Sequence, residues 1–189
     1  VNSAAMNKFQ SIFSAIIRMV ATPSYYEEDK IDIVPFGMVI KESLAWLATG
    51  RHEAKYVNVP YEKYQKAVEI LMADHSIDID FKKMVDNYWK TFIIDSPDES
   101  AVEKTRGEIL QWFCGEGSIG FYRKNFNINK LITKENAKIM LQSLAGFVRL
   151  SGYRGLIILF DEAEQAFSIM RQSVLRDAHN NLLSLINNI

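Results

Sequence analysis

The chain has 189 residues, 48% of them hydrophobic and 24% charged, with a formal net charge of −1. That balance fits a soluble globular protein of one sizeable domain or two small ones, and it excludes a global basic field of the kind that gathers nucleic acid. One cysteine, Cys114, rules out an internal disulfide and points to a reducing, cytoplasmic compartment, and no apolar run approaches the ~20 residues that cross a membrane.

Residues Ala4 to Val20 place Met6, Phe9, Ile12, Phe13, Ile16, Ile17 and Val20 at helical spacing, which predicts an amphipathic helix stopped by Thr22-Pro23. Tyr25-Tyr26 in the acidic loop that follows can stack on a base or pack against neighbouring helices. A second helix is expected from Phe36 to Leu47, with Val39, Ile40, Leu44 and Leu47 inward, Lys41 and Glu42 outward, and Gly50 as its stop. His52 and His75 lack partners at metal-ligand spacing and read as surface residues.

Three helices are expected next: Pro60 to Asp74, Ile79 to Ile94 with an aromatic face of Tyr88, Trp89 and Phe92, and a third ending near Phe113. The third opens on Ser96-Pro97-Asp98-Glu99, where Ser96 fits a cap and Pro97 the first helical position. Cys114 follows Trp112-Phe113 and reads as a small buried apolar residue.

Gly115-Glu116-Gly117-Ser118-Ile119-Gly120 has the Gly-x-Gly-x-x-Gly spelling of a dinucleotide fingerprint, yet such a fingerprint follows a strand, and this one follows a helix. It also lacks a Gly-Lys-Ser/Thr ending, and no other stretch supplies one. Arg123, Lys124, Lys130, Lys134 and Lys138 form a moderately basic segment, suited to solvent or to phosphates. A helix capped by Thr133 is expected from Lys134 to Leu150, with Ala137, Met140, Leu141, Leu144 and Val148 inward and Gly152 ending it.

Gly155-Leu156-Ile157-Ile158-Leu159-Phe160 then runs straight into Asp161 and Glu162. Five consecutive apolar residues behind a glycine predict a strand buried on both faces of a parallel sheet, with the two acids just beyond its end. There the first acid suits a magnesium ion that bridges phosphates, and the second suits orientation and deprotonation of an attacking water. The same run also fits a strand that ends at the surface, where acids are ordinary. A last helix is expected from Arg171 to Ile189, with Val174, Ala178, Leu182, Leu185 and Ile186 inward. The chain opens on Val1 and stops inside that helix, so both ends read as cut from a longer protein.

Gly152 to Glu164 and Leu175 to Ile186 together resemble the small AAA-type P-loop ATPases associated with the bacteriophage-exclusion (BREX) defence systems of bacteria and archaea. Trp112 with Gly115-Glu116 fits the same pattern more weakly. The resemblance implies an α/β fold, strongly helix-dominated: a partial P-loop core with one short parallel-sheet strand and a large helical region. It divides the single domain into helices over residues 1–151 and a Walker B strand with its following helix over 152–189. It implies ATP and magnesium as cofactors, with Asp161 binding the metal and Glu162 catalytic. It also implies other defence-system proteins and DNA as partners, and a homo-oligomer. Members of that family carry a phosphate-binding Walker A loop near the N-terminus, ahead of the helix that matches Ala4 to Val20, so this chain is expected to be a fragment without it. Two other readings stay open: a non-catalytic helical interaction domain, and a DNA-binding helical module built on Arg123 to Lys138.

Overall fold

A computed structural model describes residues 8–22, 35–52, 59–93 and 98–159, together with positions 176, 179, 180 and 183. Its helices are α1 (Phe9–Met19), α2 (Phe36–Thr49), α3 (Tyr61–Ala73), α4 (Ile79–Ile93), α5 (Glu99–Phe113), α6 (Ile119–Phe126) and α7 (Ala137–Leu150). The four further positions, Arg176, His179, Asn180 and Leu183, are also helical.

The helix α2 is the centre of the bundle, touching α1, α3, α4, α5 and α7. Its sequence explains why: Lys41 and Glu42 are its only charged residues, and a helix apolar around most of its circumference belongs inside. Four rings meet beside it, Phe36 from α2, Phe81 from α4, Phe113 from α5 and Phe147 from α7. The Phe36–Phe113 and Phe81–Phe113 centroids are each 5.0 Å apart with rings edge to face, the arrangement that aromatic quadrupoles favour. Buried indoles find acceptors: Trp89 Nε1 donates to Ile40 O at 2.8 Å, and Trp112 Nε1 donates to Lys130 O at 3.1 Å. These bonds tie α4 to α2 and α5 to the 127–133 loop.

The turn between α3 and α4 is fixed by charge. Lys82 Nζ donates to the carbonyls of Met72 and Asp74 at the end of α3, at 3.0 and 2.9 Å. Asp80, 1% exposed, accepts from the amides of Asn129 and Lys130 at 3.1 Å each, so one carboxylate pins the loop between α6 and α7. The α7 helix also packs along α1.

The expected α/β fold with a parallel-sheet strand is not what forms: among the described residues there is no strand. Residues 156–159 carry no regular secondary structure. A strand is stabilised by a laddered neighbour, and among the described residues no strand lies beside this stretch. Its apolar run is not covered on both faces either. Leu156 and Ile158 pack against the core, whereas Ile157 and Leu159 are 86% and 79% exposed.

Two helix starts also move. The fifth helix begins at Glu99, capped by Asp98, whose side chain accepts from Ala101 N; Ser96 and Pro97, expected to open it, lie outside the described residues. The seventh begins at Ala137, because Asn136 bonds to both Thr133 N and Leu131 O and holds 134–136 in a turn. Between them, α6 arises where a basic loop was expected. Ser118 caps it by accepting from Phe121 N, and Tyr122 and Phe126 are its buried side.

Candidate functional site

At the exits of α1 and α7 lies a cleft of about 560 Å³. Ile16, Met19, Val20 and Thr22 form one wall, Val39 and Val148 the floor, and residues 155–159 the other wall. The apolar run thus has a place on this cleft, without being a strand.

One polar cluster lies at the edge of this apolar lining. Glu42 of α2, expected to face outward, is fully buried. Its Oε1 accepts from Thr22 Oγ1 at 2.9 Å, and its Oε2 accepts from the Tyr153 hydroxyl. Burial, reinforced by that carboxylate, holds the Tyr153 phenol protonated far above its ordinary range. His52, expected at the surface, is instead sandwiched: its ring lies 4.7 Å from Trp46, nearly parallel, and 4.3 Å from Tyr153. His52 Nδ1 is buried and has no hydrogen-bond partner among the described residues. Gly152 seals the arrangement: its φ is +83°, and a Cβ there would stand 2.2 Å from the Trp46 ring.

The residues singled out from sequence fall as follows. Asp161 and Glu162 lie outside the described residues, as do Tyr25 and Tyr26. The Gly115 to Gly120 stretch joins α5 to α6 and so follows a helix, as expected, with Ser118 spent on capping. His75 is exposed, and Cys114 is buried, with burial pushing its thiol up and away from thiolate chemistry. Arg123 and Lys124 are exposed in the last turn of α6, where cations complement the helix dipole. Lys130 is engaged with Asp78 at 2.7 Å.

Among the described residues no group of three His, Cys, Asp or Glu side chains converges as a metal site. The cleft walls are mainly aliphatic, and Glu42, bonded to the lining residues Thr22 and Tyr153, already accepts two hydrogen bonds. The described residues therefore do not form a nucleotide–metal site.

A family described as BREX system ATP-binding protein BrxC/D matches residues 3–189. The chain belongs to that family. No curated protein and no solved structure matches it. The match covers the residues of all seven described helices of this BrxC/D-family chain. Among the described residues no helix is long and apolar enough to cross a membrane.

The Glu42–Tyr153 pairing was missed from sequence, although one signal pointed to it: Glu42 sits in a helix with almost no other charge, so an outward face was hard to find for it.

Proposed function

We propose that this BrxC/D-family chain is part of an AAA-type ATPase of the BREX defence system, and that Asp161 and Glu162 are its reactive carboxylates. Asp161 takes the role of magnesium ligand, and Glu162 that of general base toward water. The observation that carries the reading is the family match over residues 3–189, whose description is an ATP-binding protein. Support also comes from the sequence, which delivers the two acids immediately after the run that walls the cleft. The described helices present no cradle for phosphates, so the proposal puts the chemistry on the 161–162 pair alone. Other proteins of the same defence system, and DNA, are the partners this reading entails.

The test is ATP turnover by the full-length protein and its E162Q variant. Loss of a general base is expected to lower turnover by about 100-fold or more while ATP binding persists. Unchanged turnover in E162Q removes Glu162 from the mechanism.

A second reading, a non-catalytic helical interaction domain, is favoured by the exposure of Ile157 and Leu159, with Met19 of the same cleft also exposed. It predicts no ATP affinity in the full-length protein and a D161A variant changed only in stability.

A further inference from the structure

Residues 118–134 hold the cations Arg123, Lys124, Lys130 and Lys134 and no acid. The acids that meet them come from the start of α4, and they are hidden. Asp80 is 1% exposed and accepts from the Asn129 and Lys130 amides. Asp78, its side chain 10% exposed, accepts from Lys130 Nζ at 2.7 Å. The cations are left in solvent: the side chains of Lys130 and Lys134 are 41% and 77% exposed, and Arg123 and Lys124 are exposed as well. Lys83 of α4 joins them where α6 ends, donating from Nζ to Asn127 O at 2.9 Å. Glu135 is the one acid between positions 118 and 138, and Lys134 lies 3.6 Å from it. Among the described residues neither Arg123 nor Lys124 has a hydrogen bond or an ion pair. The outer side of α6 and the loop after it therefore carry unbalanced positive charge, although the chain as a whole has a net charge of −1. A local patch of this kind attracts a polyanion that the whole molecule's field does not.

Proteins that hold single strands add aromatic platforms on which bases stack. Here Tyr122 and Phe126 are buried and Phe121 is only 38% exposed, so the surface offers charge without stacking. That combination suits the phosphate backbone of a duplex. We propose that the outer side of α6 and the loop after it bind double-stranded DNA through its phosphates, with Lys83, Arg123, Lys124 and Lys130 as the contacting cations. Contacts of this kind position the protein on DNA and read no base sequence. The choice of DNA rests on the partner that the defence-system reading entails. The surface itself is independent of the ATPase assignment, and none of its four cations lines the cleft.

The experiment is fluorescence anisotropy of a short labelled DNA duplex of mixed sequence, titrated with the full-length protein over a series of salt concentrations. R123Q/K124Q is expected to weaken binding by about tenfold or more, and to reduce the slope of log Kd against log salt by about 2, one for each phosphate contact removed. Both side chains are exposed and unbonded, so this variant keeps the wild-type unfolding midpoint. K63Q/K66Q removes the same charge from exposed positions on α3 and is expected to bind as wild type does. Equal weakening by the two pairs would mean that net charge alone is sensed, which overturns the proposal. Wild-type affinity and slope in R123Q/K124Q overturn it too and leave DNA as a partner held elsewhere. Tighter binding of a single strand than of the duplex, or displacement of the duplex by polyglutamate as readily as by unlabelled duplex, also overturns it. A wild-type protein that binds no duplex overturns both the proposal and DNA as the partner, and turnover by E162Q then decides the ATPase reading separately.

Discussion

Replacing Gly152 with alanine tests how tightly the exit of α7 is packed on α2. Two costs are expected. The residue sits at φ +83°, where an L side chain costs about 1 kcal/mol more than glycine. The new methyl would also stand 2.2, 2.4 and 2.6 Å from three carbons of the Trp46 indole, so the ring must move. Overpacking of that kind costs a further 1–3 kcal/mol or so. For a chain of this size each kcal/mol shifts Tm by about 2–4 °C, which gives a loss of about 10 °C. Gly50 supplies the control: its φ is +75°, but nothing lies within 4 Å of its would-be Cβ. G50A carries the backbone cost alone, about 1 kcal/mol or about 3 °C. The assay is thermal unfolding followed in parallel by far-UV circular dichroism and tryptophan fluorescence. Equal losses in the two variants would refute the reasoning, because the contact with Trp46 would then contribute nothing.

Three further outcomes are expected. D80A strips the acceptor from the Asn129 and Lys130 amides in a buried setting and should cost about 3 kcal/mol, read as a lower urea midpoint at unchanged m. D98A removes the cap of α5 and should cost about 1 kcal/mol in the same titration, and no loss would show that the cap bond is not made in solution. Burial pushes Tyr88 and Tyr122 from an ordinary 10.0 up to about 12. Such a phenol keeps its full contribution below pH 10 and loses it as pH climbs toward 12, so stability should fall over that window. Y122F should flatten part of that fall, and a stability curve identical to wild type from pH 9 to 12 would contradict the assignment.

The helices were legible because their buried positions recur with helical spacing. The inward face of α1 is the one the pattern names, with Ile12, Phe13, Ile16 and Ile17 buried, whereas Phe81 and Met84 of α4 and Phe147 of α7 are buried without having been named. The α6 helix was not, since its eight residues give only the pair Tyr122 and Phe126 as a buried repeat, amid glycine, asparagine and basic residues. The error over Leu156 to Leu159 has a different origin. Hydrophobic content says that a segment avoids water but not what it leans on, and of these residues Leu156 and Ile158 pack against the helical core while Ile157 and Leu159 are exposed. The site was least legible of all. Tyr153 is far in sequence from Glu42 and His52 and belongs to no spacing rule with them, and the meeting of α2 with the end of α7 makes them neighbours. Asp161 and Glu162 fall outside the described residues, and the E162Q experiment decides their role.

Glu42 and Tyr153 are 111 positions apart, and this separation has a kinetic consequence. A contact that closes so long a loop is disfavoured until most of the chain between its ends has already condensed, so it belongs to the late, downhill part of folding. Substitutions at this junction should therefore leave the refolding rate near its wild-type value and appear in how fast the native protein comes apart. The bundle would assemble first and latch last, with the carboxylate surrendering its water only when both hydroxyls are there to replace it.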